Sequence, residues 1–108
     1  MRSEVRFFDG RARRTYYRLE RGDGADRALF VAIATALDAL EKNAFCGVQI
    51  PKRIIPTYYL RRDIRNVWKY DLPQGWRLIY SVISGERIVI SLVIEWFDHT
   101  NYERRFGY

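Results

Sequence analysis

Cysteine is almost absent from this chain: Cys46 is the only one in 108 residues. One thiol cannot close an intrachain disulfide, so a core must hold the fold, and a reducing, cytoplasmic setting is the expectation. Cys46 has Phe45 and Val48 nearby, and an inert packed thiol is its expected role. Histidine is equally scarce, with His99 alone. One histidine and one cysteine argue against a zinc site, and no metal or cofactor is expected. No apolar run approaches a membrane span, and no secretory leader pattern is read. Glycine-rich phosphate loops, HExxH and GxSxG are also missing, which removes the chemistries tied to those motifs. Acidic residues are outnumbered 13 to 19 by basic ones, giving a formal charge of +6. Lysine is rare too, at positions 42, 52 and 69 only, so arginine carries the positive charge. Guanidinium forks match phosphate oxygens and stack on bases, which favours an anionic partner, nucleic acid or an acidic protein.

What is present fits one domain with one core: 108 residues, 48% hydrophobic and 30% charged. Aromatics make up 16%, with eight tyrosines. Residues 3–9 read as a first strand, broken by Asp9-Gly10. Residues 11–21 read as a helix whose polar face is nearly all arginine (11, 13, 14, 18, 21). That face is either simply solvated or binds phosphate or a partner. Gly22-Asp23-Gly24 is a break, and Asp26 either caps the next helix or sits in its first turn. Over residues 25–43, Leu29, Phe30, Ile33, Leu37 and Leu40 recur at helical spacing, and Asn43 and Gly47 mark the end. A helical hairpin follows, whose apolar stripe needs a sheet to cover.

Residues 48–59 carry Pro51 and Pro56 and read as a packed loop with one helical turn. Residues 64–72 read as a strand, and Leu72-Pro73-Gln74-Gly75 as a type I turn. Residues 76–83 alternate strongly: Trp76, Leu78, Tyr80 and Val82 on one side, Arg77, Ile79, Ser81 and Ile83 on the other. Ser84-Gly85 fits a two-residue hairpin loop. Residues 87–96 are apolar on both faces, which predicts a central strand covered by helices on one side. Residues 98–108 turn polar and aromatic and fit a short final helix. The expected class is α+β, ordered β-α-α-β-β-β: a helical hairpin on one face of an antiparallel-rich sheet, the opposite face partly free, the first strand beside the last.

Chemistry-bearing residues cluster near predicted strand ends: Lys69, Arg77, His99, Tyr102, Glu103, Arg104 and Arg105. Brought together, they suit RNA cleavage without a metal. A base takes the 2′-hydroxyl proton, fixed cations offset charge on the phosphate, and an acid protonates the leaving 5′-oxygen. Imidazole is the one side chain whose ordinary pKa lies near neutrality. Arg77 can fork onto phosphate, or else pair with Asp71 or Glu95. Tyr102 follows His99 by three residues, so a helical turn would give them a common face. Tyr58-Tyr59-Leu60-Arg61-Arg62 offers rings for bases and arginines for phosphates, or two rings packed at a sheet edge. Arg61, Arg62, Arg65, Arg104 and Arg105 are the candidate RNA-binding residues.

The run Gly75-Trp76-Arg77-Leu78-Ile79-Tyr80-Ser81-Val82 resembles the glycine–aromatic–arginine–aliphatic–aliphatic–tyrosine strand of the RelE/ParE superfamily of toxin–antitoxin toxins. Val67-Trp68-Lys69-Tyr70-Asp71-Leu72 resembles that family's preceding strand, and His99 and Tyr102 fall where its ribonucleases place a basic or histidine residue and then a tyrosine. The resemblance implies mRNA cleavage, often on the ribosome, and neutralisation by a cognate antitoxin. By position, Arg77 would bind the scissile phosphate, Lys69 add charge, His99 serve acid–base chemistry, and Tyr102 stack or transfer a proton. Asp71 departs from the pattern, since many RelE-like ribonucleases carry a basic residue there. Residues 51–62 and the ending through Tyr108 have no counterpart in the best-known members. ParE-like gyrase inhibition, a non-catalytic RNA- or protein-binding module, and a homodimer through exposed aromatics are the other readings.

Overall fold

The computed structural model describes residues 2–107; Tyr108, at the end of the predicted final helix, lies outside them. The chain runs through β1 (Glu4–Phe7), α1 (Gly10–Glu20), α2 (Gly24–Lys42), β2 (Val48–Gln49), α3 (Thr57–Leu60), β3 (Trp68–Asp71), β4 (Arg77–Ser84), β5 (Val89–Phe97) and α4 (His99–Phe106). The architecture is α+β. Each helix of the hairpin starts on an aspartate: Asp9 Oδ1 accepts from Ala12 N at 2.9 Å, and Asp23 Oδ1 from Asp26 N at 2.8 Å. Asp26 therefore sits in the first turn of α2, where its charge favours the positive helix end. Both helices face the sheet with their apolar stripes. Tyr16 stacks on Phe30 with centroids 4.6 Å apart, and Ile33, Ala36 and Leu40 are fully buried. The arginines of α1 stay outside.

Five strands form one sheet in the order β1-β5-β4-β3-β2. β1 lies beside β5 at one edge, as expected, and runs parallel to it, while the other neighbours are antiparallel. The two-residue β2 falls inside the predicted loop; it is too short to show a period, and pairs with Trp68 and Lys69. β3 starts at Trp68, later than the predicted residue 64, because Asn66 replaces backbone pairing with its side chain. Its Nδ2 donates to Val82 O at 2.9 Å, and its Oδ1 accepts from Val82 N at 2.8 Å.

The turns also differ. Gln74 (φ 61°, ψ 33°) and Gly75 (φ 79°) are both left-handed, so the β3–β4 connection has the I′ pattern instead of type I. Glycine takes this backbone freely. The β4–β5 reversal spans residues 85–88, with Gly85 N donating to Ile88 O at 2.8 Å, so the hairpin loop lies beyond Ser84-Gly85.

The face away from the hairpin is covered over its middle and stays open where Ile83 (49% exposed) and the Asp71 side chain (59%) lie. Ile50, Ile55, Tyr59, Ile64, Tyr102 and Phe106 pack there on Val67, Ile79 and Ile94. Pro51 and Pro56 each precede a short helical turn, and these turns carry Ile55 and Tyr59 onto the sheet. Periodicity does not show this layer because no stretch in residues 50–67 is long enough to repeat.

A bulge shapes β5. Ile79 pairs with Glu95 and Tyr80 with Val93, leaving Ile94 as the extra residue. Ile94 and Glu95 thus share the face away from the hairpin. Strict alternation from Val93 would have buried Glu95 beneath the helices. Tyr80 closes the hairpin side: its hydroxyl donates to Ala44 O at 2.9 Å and accepts from Gly47 N at 3.0 Å. Burial pushes its pKa up. Cys46 lies in this α2–β2 connection and is exposed, which overturns the packed-thiol expectation. Partial desolvation raises its pKa, which disfavours the thiolate.

Candidate functional site

Asp71 and Arg77 are direct cross-strand partners, and Lys69, two residues before Asp71, lies on the same face. One carboxylate serves both cations. Lys69 Nζ donates to Asp71 Oδ1 at 2.9 Å, and Arg77 Nε lies 3.0 Å from the same oxygen. The Arg77 contact is an ion pair without hydrogen-bond alignment. Of the two partners the sequence allows Arg77, Asp71 is the one found. The Arg77 guanidinium is also fixed from behind: Nη1 donates to Gly75 O at 2.8 Å and to Trp76 O at 3.3 Å. The left-handed turn supplies those carbonyls, so turn geometry and arginine orientation are coupled. Lys69 and Arg77 side chains are 21% exposed and Asp71 59%, so the triad opens to solvent mainly through its carboxylate.

α4 crosses beside this triad. Asp98 caps it, with Oδ1 accepting from Asn101 N at 2.9 Å. His99, the first helical residue, is exposed, and its Nε2 lies 2.8 Å from Glu103 Oε1 one turn on. It borders the Arg77 anchor, since a Cβ on Gly75 would stand 3.7 Å from His99 Cβ. Tyr102 does not share the exposed side of His99. It is 4% exposed, stacks on Phe106 at 4.6 Å, and has Arg77 Cζ 5.6 Å from its ring centroid. A ring buried in this way is already packed by protein and offers no open face to a base.

The candidate RNA-binding arginines divide into two kinds. Arg61, Arg65 and Arg104 are exposed, and Arg65 pairs with Asp63 at 2.8 Å. Arg62 and Arg105 place their Cζ atoms 3.6 and 3.5 Å from the centroid of Tyr58. Two guanidinium groups that close must lie on opposite ring faces, so Tyr58 is sandwiched between them. It is therefore not a free stacking platform. Tyr59 is fully buried, matching the packed-ring alternative, and its hydroxyl donates to Glu95 Oε2 at 2.6 Å. Burial and then Glu95 push the Tyr59 pKa upward. Arg105 Nη2 lies 3.5 Å from Glu95 Oε1.

Sequence reasoning missed what this second cluster borders. A cleft of about 200 Å³ lies between the start of α1, α3 and the end of β5, with Glu95, Arg11 and Arg62 among its lining. No motif marks it, because its residues come from three separate parts of the chain. Among the described residues, no His, Cys, Asp or Glu side chains are grouped in threes that could hold a metal ion. No helix among them is long and apolar enough to cross a membrane. No family model matches the chain, and comparisons with curated proteins and with solved structures also find no match.

Proposed function

We propose that this protein binds and cuts RNA in the manner of a RelE-like toxin, with Arg77 at the centre of the site. The observation that carries this reading is the convergence of Lys69 and Arg77 on one sheet face, with the guanidinium anchored by two carbonyls and the His99–Glu103 pair bordering the same turn. Arg77 and Lys69 offset the charge that builds on a phosphate under attack. The 2′-oxygen attacks phosphorus while a base removes its proton. The bond to the 5′-oxygen breaks, and an acid protonates that oxygen, leaving a cyclic phosphate and a free 5′-hydroxyl. His99, held by Glu103, supplies one of these proton transfers. Messenger RNA, with or without the ribosome, is the proposed substrate, and a cognate antitoxin the proposed partner.

A second reading keeps RNA or protein binding and drops cleavage, with gyrase inhibition its ParE-like form. It is favoured by Asp71, which already neutralises part of the site's charge, and by the burial of Tyr102. One experiment separates the readings: purified protein is incubated with single-stranded RNA and with translating ribosomes, and 5′ ends are mapped by primer extension. Cleavage that disappears in Arg77→Ala and is only partly restored in Arg77→Lys supports the first reading. Intact RNA with parent protein in both settings removes it.

A further inference from the structure

We propose that the cleft at the β5 bulge is a guanine-binding pocket, recognised through the Glu95 carboxylate. Its volume of about 200 Å³ is below the roughly 300–1,000 Å³ of drug-sized sites, so it suits one ring system with sugar and phosphate left outside. Phe8, Ala12 and Ile94 give it apolar walls. Into this setting the bulge turns a carboxylate whose side chain is 19% exposed. Tyr59 holds one oxygen of Glu95 at 2.6 Å, and Arg105 approaches the other at 3.5 Å. A carboxylate accepts about four hydrogen bonds, so both oxygens keep acceptor positions.

The ligand class follows from that acceptor pair. Guanine alone among the RNA bases presents two adjacent donors, N1–H and the 2-amino group, on its Watson–Crick edge. They match a carboxylate in parallel. Adenine and cytosine place an acceptor beside their amino donor, and uracil flanks its one N–H with two carbonyls. Each would set an acceptor against Glu95. Arg11 and Arg62 are exposed in the lining and suit a phosphate, while the exposed Asp9 beside them is held as the cap of α1. Arg62 lies against Tyr58 with one face, leaving its other face for a base. As a subsite for RNA this pocket rests on the reading above, whereas binding of a guanine nucleotide does not.

The test is calorimetric titration of the full chain with GMP, AMP, CMP and UMP. GMP is expected to bind at least about tenfold tighter than the others, a ratio in keeping with one bidentate contact. Glu95→Gln replaces one acceptor by an amide donor and should remove that preference. Thr15→Trp, on the α1 wall of the cleft, should block binding while leaving Glu95 and its partners in place. Circular dichroism checks that each variant is folded; if Glu95→Gln is not, Thr15→Trp decides. Equal binding of the four nucleotides, no binding of GMP, or GMP binding unchanged in a folded Glu95→Gln overturns the proposal. So does GMP binding unchanged in Thr15→Trp. Arg77-dependent RNA cleavage without GMP binding would sink the pocket and spare the ribonuclease reading. GMP binding with intact RNA would do the reverse.

Discussion

Replacing Asp71 by asparagine tests the site most directly, because this carboxylate stands where RNA phosphate would go. Asp71 Oδ1 is 2.9 Å from Lys69 Nζ and 3.0 Å from Arg77 Nε. At roughly 6 Å, a phosphate and a carboxylate repel by about 0.7 kcal/mol at the permittivity of water and about 2.8 kcal/mol at an effective value of 20. Asp71 is 59% exposed, so the lower end applies. Relief of about 1 kcal/mol corresponds to roughly fivefold tighter binding. One unit of positive charge is also released to meet phosphate, which should steepen the salt dependence for a single strand by about 0.7 in log–log slope. Folding stability should change by about 1 kcal/mol, since the carboxylate is 59% exposed although its partners Lys69 and Arg77 are only 21% exposed. Fluorescence anisotropy with labelled single-stranded RNA at several salt concentrations measures affinity and slope together, and a thermal melt checks the fold. Equal affinity and equal slope in Asp71→Asn and parent would refute placement of phosphate at Lys69 and Arg77. The cleavage assay adds a distinction. Faster cutting marks Asp71 as a charge opposing RNA, and tighter binding with no cutting marks it as the base.

The remaining predictions concern the fold that holds the site. Tyr80→Phe strips Ala44 O and Gly47 N of their phenol partner, and should lower stability by about 1–3 kcal/mol; an unchanged denaturant midpoint would show that water replaces it at no cost. Gly47→Ala should be at least as damaging, because the added carbon would lie 2.5 Å from Lys69 O and 2.6 Å from the Tyr80 hydroxyl; a melt equal to the parent's would show that the connection shifts freely. Stability should also fall at alkaline pH. Tyr59 and Tyr80 ionise in the unfolded chain near the ordinary value of 10.0, but burial holds both protonated in the fold. Their contribution is complete below that value. Above it the unfolded state binds fewer protons, so each such tyrosine removes up to about 1.4 kcal/mol per pH unit until its folded pKa is passed. Denaturation midpoints between about pH 9 and 11 measure this slope, and an undiminished slope in Tyr59→Phe would exclude Tyr59 as a source.

The sequence by itself determined the elements whose pattern is local. The apolar repeat from Leu29 to Leu40 needs only helical geometry to be read, and the alternation around Leu78 and Tyr80 only that of a strand. The two-residue spacing of Lys69 and Asp71 was enough to put them on one side. Tertiary structure decided what depends on pairing and on short segments. The Ile94 bulge is a register event between two strands, and neither strand's composition shows it, yet it sets which face Glu95 occupies. Asn66 mimics a peptide group only because Val82 lies opposite. Pro51 and Pro56 announced interruption, but whether the interrupted chain would leave the sheet or cover it depended on whether Ile55 and Tyr59 could reach Ile79 and Ile94. His99 and Tyr102 are three residues apart on one helix, and the sheet beneath α4 decided that one ring would be buried and the other left in water.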